Sequence, residues 1–454
     1  MSYGLTYTPY NTNLFLDARG INPNAVAFIA AAGITGAIEV NAVNDLVNGL
    51  QADGLWSKMK AVYPFVTDNR NLASYTEDFG NAYWTKANTT ATLNATTAPN
   101  GSSTADLIIP SVLSAPHVIY TQPFIGASQI VTNTIYAKAA GYNFIGLSDA
   151  ATGQAVINLS NGTIVSQDAG ITASTPVNVG NGWWRCVITF TATTNRGLGV
   201  DIWSDGSKTT FAGNGTSGVY LWGAQSELGS TATTYQPIAT TQQAYIAAQF
   251  KYNLVNPVDS DAAFRLVFNG GWTHSSTGAL PNGTNGYADT KFNNQNNWTA
   301  TSNGSLGISI ATNPTAGVQC DIGSGSVADG NNSSILYARF SGNVYYGGLN
   351  CSSVILGNTN ASSIGFFVAS RLNTTQHSIY KRGSSTINST ATNAIGTNPN
   401  KTIYIGAGND NILGTPLNYS DRKYNYSFIG DGLTQSEVDL YYSRITTFNT
   451  ALSR

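Results

Sequence analysis

The pattern of apolar and polar residues along the chain predicts a mainly β protein with helices near its two ends. After Arg70, short alternating runs are separated by clusters of Gly, Asn, Asp and Pro, a spacing typical of sandwiches and barrels. In the run 186–192 the even-numbered residues are all apolar, so they would share one buried face of a strand. Strands are predicted over 130–137, 144–148, 184–192 and 219–223 in a first β-rich region, and over 264–268, 306–311, 364–369 and 402–406 in a second.

Two short helices are predicted before the first β-rich region. Asn22 would cap a helix that begins at Pro23 and ends at Gly33. The stretch 37–51 carries apolar residues at positions i, i+3, i+4 and i+7, which form one apolar stripe. We expect these two helices to form a small hairpin, followed by a strand or extended connector over 61–66.

A longer helix is predicted at the end of the chain. Thr434 and Glu437 have the spacing of a capping box, and apolar residues then recur at helical spacing. A helix over 435–452 should therefore lay an apolar stripe on a sheet or on a neighbouring subunit. Residues 1–22 are predicted to be an extended arm, and 240–250 a linker or short helix.

The chain is poor in charged residues. Only 10% of its 454 residues are charged, against roughly 25% in an average globular protein, while 42% are hydrophobic. A net charge of −2 without a basic cluster argues against nucleic-acid binding. The sequence shows neither a membrane span nor a signal peptide, and its three cysteines lack the spacing of a zinc site or a disulfide framework. We therefore expect synthesis in a reducing cytoplasm and no membrane insertion.

The first β-rich region carries a series of short motifs. They lie at 74–79, 98–101, 136–138, 180–186, 220–229 and 233–237. In this order they resemble the jelly-roll, carbohydrate-binding-module-like domains common in bacteriophage tail fibres and other virion structural proteins. The resemblance implies a jelly-roll fold and a phage context. It does not indicate a ligand, because the matched residues are typical of core and turn positions.

The remaining sequence resembles a second phage family. The segments concerned are 55–65, 261–274, 278–289 and 427–434. They are similar to structural proteins of crAss-like and related phages of Bacteroidota hosts, whose β domain is a concanavalin- or laminin-G-like lectin sandwich. In that family the first segment runs almost directly into the second, whereas here the whole jelly-roll region intervenes. The resemblance therefore implies an insertion, and it predicts that residues near 66 and near 251 lie close together.

These patterns together predict a fold of two antiparallel β-sandwich (jelly-roll) domains with a small N-terminal helical hairpin and a C-terminal helix. The expected divisions of the chain are an arm over 1–22, a hairpin over 23–66, an inserted jelly roll over 71–246 and a lectin-like sandwich with its helix over 251–454.

The sequence offers little material for catalysis. Its three histidines, His117, His274 and His377, are far apart and lack the spacing of metal ligands. A G-x-G-x-x-G motif at 213–218 leads into a predicted strand, whereas dinucleotide binding needs a helix there. Carboxylates that could serve a glycosidase are present, but in turn-like contexts and without a catalytic motif. They are Glu77, Asp78, Asp201, Asp205 and Glu227. We expect no enzyme activity and no cofactor.

Aromatic residues near loops are the candidate glycan contacts, because sugar C–H faces stack on aromatic rings while sugar hydroxyls bond to polar side chains. The candidates are Trp203, Trp272, His274 and Trp298. His274 is included because its loop is rich in polar donors, although a structural role is also open for it. Calcium is a further possibility at the oxygen-rich loops 329–332 and 409–411, where Asn and Asp equally fit tight turns.

We therefore expect a bacteriophage virion structural protein, a homotrimeric fibre or spike that displays its sandwiches for attachment to a host-surface polysaccharide. The N-terminal region would contact other virion proteins, and both head and tail attachment fit. The protein would be made in the host bacterial cytoplasm and become part of the virion. Two alternatives stay open: a purely architectural decoration or head-fibre subunit that binds no sugar, and a polysaccharide depolymerase with two carboxylates facing one cleft.

Overall fold

The structure is a computed structural model that describes residues 20–121, 126, 128–151, 153–298, 302–325, 333–351, 355–392, 394–396, 398–410 and 415–454. The protein is mainly β, with antiparallel sheets in sandwich arrangements, as the alternating pattern predicted. The chain forms two compact units. We call them the split unit, which comprises the residues up to Asp68 together with Ile246–Arg454, and the central unit, Asn69–Tyr245.

The helices are α1 (Pro23–Ala32), α2 (Ala37–Ala52), α3 (Gln242–Phe250) and α4 (Gln435–Ala451), with 3-10 turns at Trp56–Lys58 and Asp261–Ala263. The strands as far as residue 228 are β1 (Met59–Tyr63), β2 (Trp84–Ala87), β3 (Thr89–Thr96), β4 (Ala105–Pro110), β5 (Ser114–Ala115), β6 (His117–Thr121), β7 (Ile130–Ala140), β8 (Phe144–Ser148), β9 (Gln154–Asn158), β10 (Thr163–Gln167), β11 (Ile171–Gly180), β12 (Trp183–Thr191), β13 (Gly199–Trp203), β14 (Phe211–Ala212) and β15 (Gly218–Leu228). The later strands are β16 (Val267–Asn269), β17 (Trp272–Ser275), β18 (Gly278–Pro281), β19 (Tyr287–Asn293), β20 (Gly304–Ile310), β21 (Ile322–Ser324), β22 (Ser333–Phe340), β23 (Val344–Cys351), β24 (Ile355–Thr359), β25 (Gly365–Arg371), β26 (Gln376–Arg382), β27 (Ile387–Thr392), β28 (Thr402–Ile405), β29 (Gly408–Asn409), β30 (Pro416–Leu417) and β31 (Tyr424–Gly430).

Local capping explains where α1 begins and ends. The Asn22 side chain accepts a hydrogen bond from the Asn24 backbone N–H at 3.0 Å, and Pro23 occupies the first turn, where its missing N–H costs nothing. Gly33 ends the helix in the left-handed conformation, with φ of 68°. The sequence prediction of this helix is confirmed.

The central unit is a sandwich of two sheets. Within the described residues the strand orders are β10-β9-β8-β13-β6-β2 and β11-β12-β7-β15-β4-β3, and β14 pairs with β5. The predicted face of β12 is confirmed, because its alternate apolar side chains all lie in the core between the sheets. These residues are Cys186, Ile188 and Phe190, followed by Ala192 just beyond the strand.

The split unit has helices on one face of a sheet and a second sheet on the other. In the described residues the first sheet has the order β17-β18-β31-β20-β25-β26-β27 with β1 beside β31, and the second has β16-β19-β28-β21-β22-β23-β24. Strand β25 shows the layering. Phe366 contacts Tyr441 of α4 with ring centroids 5.8 Å apart, while its neighbour Phe367 contacts Tyr345 of β23 at 5.1 Å. The apolar stripes predicted for α2 and α4 are buried in this helical layer.

The two parts of the split unit meet where the chain leaves for the central unit and returns from it. Phe65 and Phe250 pack edge to face with ring centroids 5.5 Å apart. The Leu254 backbone N–H donates to the Val62 carbonyl oxygen at 2.8 Å. The sequence had predicted that residues near 66 and 251 would lie close together, and these contacts place them so.

One strand prediction was wrong in position. The sequence predicted a strand over 264–268, whereas β16 begins at Val267. The preceding residues Asp261–Ala263 form a 3-10 turn, and Phe264 adopts a left-handed conformation with φ of 59°, so it cannot extend a strand. The Phe264 ring is instead packed on Phe292, with centroids 5.0 Å apart.

The predicted N-terminal arm lies largely outside the described residues, since the description begins at Gly20. Ile21 is buried in the core of the helical layer. None of the helices that the structure describes is long and apolar enough to be a candidate membrane span.

The capping box of α4 should contribute measurably to stability. The Thr434 hydroxyl accepts from the Glu437 backbone N–H at 3.3 Å, and the Glu437 carboxylate accepts from the Thr434 N–H at 2.8 Å. Replacing Thr434 by alanine should lower the free energy of unfolding by about 1 kcal/mol, measured by denaturant titration. Thr446→Ala, an exposed change within the same helix, is the matched control. An equal loss from both substitutions would contradict a specific role for the cap.

Candidate functional site

A groove of about 250 Å³ lies on the central unit, on the sheet β10-β9-β8-β13-β6-β2, which we call the groove sheet. The residues that line it include Val118, Tyr120, Ser148, Gly153, Gln154 and Asp201.

The groove is on the face of this sheet that points away from the core. Ile119 of β6 and Val200 of β13 have no exposed surface and belong to the core between the sheets. Because successive side chains of a strand point to opposite faces, Tyr120 and Asp201 lie on the other face. Both are half-buried.

Two glycines make room for polar side chains that line the groove. Gly146 of β8 pairs with Asp201 of β13, and a Cβ added to it would clash with the Gln154 Oε1 atom and come 2.8 Å from the Trp203 Nε1 atom. Gly199 of β13 pairs with Ser148, and a Cβ there would clash with the serine hydroxyl. Side chains at these two positions would therefore displace the polar groups that line the groove.

The Gln154 side chain lies over Gly146. Its Oε1 atom accepts a hydrogen bond from the Trp203 indole Nε1–H at 3.0 Å, which fixes the orientation of the amide. The Trp203 ring is only 6% exposed, so it supports the groove from its edge. The amide nitrogen of Gln154 remains a donor for a ligand.

The turn that follows β8 is held by a carboxylate. Asp149 Oδ1 accepts from the backbone N–H groups of Ala151 and Gly153, at 2.9 and 3.1 Å. Asp149 Oδ2 accepts from Arg196 Nε at 2.7 Å in a pair that is largely buried. This end of the groove is therefore preorganised, and the charge of Asp149 is compensated.

A similar arrangement holds the side of the groove near β9. Asp168 Oδ2 accepts from the Gln154 backbone N–H at 3.1 Å, and its Oδ1 accepts from Lys208 Nζ at 2.6 Å. The lysine lowers the pKa of the Asp168 carboxyl, chiefly through this hydrogen bond. Asp168 is thus an ionised, compensated carboxylate.

Asp201 differs from these two carboxylates. Within the described part of the chain it has no ion-pair partner within 4.0 Å. Burial raises the pKa of its carboxyl to about 7, and this effect outweighs a hydrogen bond with Ser148 and the positive charge of Lys208, which both lower it. Asp201 is therefore a titrating group in the neutral pH range on the groove floor.

Of the glycan-contact residues predicted from the sequence, Trp203 belongs to the central unit, and Trp272, His274 and Trp298 belong to the split unit. Trp298 is only 7% exposed, and its Nε1–H donates to Asn294 Oδ1 at 2.8 Å. The sequence context suggested a loop, but this partner four residues earlier allows the indole to be buried. Glycan contact by these residues stays a prediction, and Trp203 is the one that adjoins the groove.

Trp272 and His274 lie side by side on β17. Trp272 is half-buried, and its Nε1–H donates to the Asn269 carbonyl oxygen at 3.0 Å. Its ring is stacked on that of His274, with centroids 6.0 Å apart and an interplanar angle of 19°. His274 is only 4% exposed, and burial lowers its pKa to about 4. It is thus a neutral side chain of an aromatic cluster near neutral pH.

Of the carboxylates that the sequence offered for catalysis, two line one cleft and the others lie elsewhere. Glu77 and Asp78 line another cleft of the central unit, of about 400 Å³, whereas Asp201 lines the groove. Glu227 is buried and accepts from the Thr233 backbone N–H at 3.1 Å. Asp205 is exposed and accepts from the Ser207 N–H at 2.8 Å.

Of the predicted calcium loops, 329–332 lies outside the described residues, as does Asn411. In the other loop Asn409 Nδ2 donates to the Thr402 carbonyl oxygen at 2.8 Å. Among the residues that the structure describes, no cluster of three or more His, Cys, Asp or Glu side chains could hold a metal ion.

The fold and the groove define a β-sandwich protein with a polar, aromatic-edged surface site. No protein-family model matches the chain, and no curated protein matches its sequence. Among solved structures it is similar to the enzymatically active domain of tailspike protein 4 of bacteriophage CBA120, with 14% identity and a TM-score of 0.22 over 35% of this chain and 21% of that one. It is also similar to the CBM22-1 xylan-binding domain of Paenibacillus barcinonensis Xyn10C, with 12% identity and a TM-score of 0.21 over 38% of this chain and 96% of that one. The chain spans about a fifth of the tailspike chain.

Proposed function

We propose that this protein is a bacteriophage virion structural protein of the fibre or spike type, and that the groove of its central unit binds a glycan of the host surface. The phage context rests on the two sequence resemblances. The glycan part is carried by one observation, the groove of about 250 Å³ that Tyr120 lines together with the polar side chains of Ser148, Gln154 and Asp201.

The chemistry of the groove suits a sugar. Tyr120 is half-buried and offers an aromatic surface to sugar C–H groups. The Gln154 amide nitrogen can donate to a hydroxyl, the Ser148 hydroxyl can both donate and accept, and an ionised Asp201 can accept. These polar groups are held by the Trp203 bond and by the turn at Asp149, so little conformational entropy is lost on binding.

We propose binding without catalysis at this groove. A glycosidase needs two carboxyl groups on either side of the scissile bond. Asp201 is the carboxylate among the described residues that line the groove, while the nearby Asp149 and Asp168 are engaged by Arg196 and Lys208.

The virion part of the proposal includes a homotrimer, anchored to other virion proteins through its N-terminal region. Several copies held together gain avidity, so weak individual sites suffice for attachment. A chain in which only 10% of residues are charged also suits close packing of identical subunits. The purely architectural alternative is favoured by the burial of Trp203 and Trp298, which leaves little of either ring for stacking.

Glycan arrays and host-cell binding with the intact chain test the proposal. Tyr120→Ala and Gln154→Ala should each weaken binding about tenfold, which corresponds to about 1.4 kcal/mol of lost stacking or hydrogen bonding. Tyr220→Ala is the matched control, because Tyr220 is a half-buried tyrosine on β15 of the other sheet.

Circular dichroism of each variant would show that the fold is kept. If neither groove substitution changes binding, the glycan binds at another site on the protein. An array without any bound glycan would favour the architectural alternative.

A further inference from the structure

We infer that Asp201 makes the groove selective for uncharged, hydroxyl-rich glycans over glycans that carry carboxylates. The inference rests on the glycan binding proposed above and adds the class of glycan. It follows from the ion pairs of the carboxylates in and around the groove, because Asp149 and Asp168 each have a cationic partner and Asp201 has none in the part of the chain that the structure describes.

The carboxylates beside the groove are already paired. Asp149 accepts from Arg196 Nε at 2.7 Å, and Asp168 accepts from Lys208 Nζ at 2.6 Å. The two nearby cations are therefore occupied and are not free to attract an acidic ligand. Asp201 is the carboxylate that lines the groove without an ion pair among the described residues, although the more distant charge of Lys208 also acts on it.

Asp201 is also placed where a ligand would meet it. It pairs with Gly146 across the strands β13 and β8, and the neighbouring position of its own strand face is Gly199. Asp201 lines the groove and keeps part of its surface exposed. An ionised carboxylate accepts hydrogen bonds but donates none. It would bond to sugar hydroxyls and repel a uronate or sialate carboxylate, and the partly buried setting strengthens this repulsion.

Protonation of Asp201 should weaken the selectivity. Burial raises its pKa to about 7, against the opposing effects of Ser148 and Lys208. Among the described residues beside the groove, the other charged groups are Asp149 with Arg196 and Asp168 with Lys208, which form two ion pairs. In acid the Asp201 carboxyl becomes neutral and can donate a hydrogen bond. It then no longer repels the carboxylate of an acidic glycan.

The test uses the intact chain and matched glycans that differ only in oxidation at C6. The pairs are β-1,4-glucan with β-1,4-glucuronan, β-1,4-mannan with β-1,4-mannuronan, and α-1,4-linked galactose oligomers with α-1,4-linked galacturonate oligomers. At about pH 8 the neutral member of any bound pair should bind about tenfold more tightly, and this ratio should fall towards one at about pH 5.5. Asp201→Asn should remove most of the preference at the higher pH.

Asp205→Asn is the control, because Asp205 is an exposed carboxylate of the loop after β13 and is not among the groove residues. Thermal unfolding of both variants checks the fold. Binding with no preference, a preference for the uronate, or a preference that Asp201→Asn leaves intact would overturn the inference and leave the proposed function standing. Failure of every pair to bind at either pH, together with an array without any bound glycan, would overturn both.

Discussion

Replacing Arg422 by methionine is expected to lower the free energy of unfolding of the split unit by about 3–5 kcal/mol. Arg422 Nη1 donates to Asp321 Oδ2 at 2.8 Å, and both side chains are completely buried. Arg422 Nη2 also donates to the Arg339 carbonyl oxygen at 2.7 Å. Without the guanidinium, the Asp321 carboxylate would remain in the core without a compensating charge, which is more costly than the loss of an exposed ion pair.

Denaturant titration of the intact chain measures this loss. Arg265→Met is the matched control, because Arg265 pairs with Asp259 and Asp261 at the surface, where the loss of an ion pair should change stability little. Adding Asp321→Asn to the Arg422 variant should recover part of the stability, since the stranded charge is gone. A similar cost for the Arg422 and Arg265 variants would contradict the interpretation.

The split unit should lose stability as the pH falls from about 6.5 to about 4. Burial lowers the pKa of His274 to about 4, and burial together with the charge of Arg371 lowers that of His377 to about 3. Both histidines are neutral in the folded state, whereas the unfolded chain binds protons below pH 6.5. Each histidine should therefore cost about 3 kcal/mol by about pH 4.

Urea titrations over this pH range measure the effect, and hydrogen exchange of β17 and β26 assigns the transition to the split unit. The variant His274→Phe with His377→Gln should flatten the pH dependence, because neither replacement titrates. His274 lies among the rings of Phe250 and Phe268, so phenylalanine suits its place. An unchanged slope in the double variant would show that other groups cause the acid sensitivity.

Local patterns in the sequence predicted the elements well. Helix α1 was predictable because Asn22 and Gly33 define its ends through contacts within a few residues, and α4 because Thr434 and Glu437 form their box across one turn. The buried face of β12 was predictable from the alternation of apolar and polar residues alone. The strand expected at 264 failed because a left-handed Phe264 has no signature in the alternating pattern.

The groove could not be read from the sequence, because it arises from strand register. Gly146 lies opposite Asp201, and Gly199 lies opposite Ser148 and Tyr120, only through the pairing of segments that are distant in the chain. The sequence drew attention to tryptophans in polar surroundings, yet Trp203 and Trp298 find partners in Gln154 and Asn294. Asp201 was visible only as one of several carboxylates, since its burial depends on the assembled sheet.

The adjacency of Phe65 and Phe250 links the stabilities of the two units through loop entropy. The ends of the central unit are also side by side, since the Thr76 N–H donates to the Ile238 carbonyl oxygen at 3.0 Å. While Asn69–Tyr245 is folded, it closes the split unit at little entropic cost. Once unfolded, the same segment becomes a long flexible loop whose closure costs about 4–5 kcal/mol. A substitution that unfolds the central unit should therefore also lower the melting temperature of the split unit, although the substitution changes none of the contacts within the split unit.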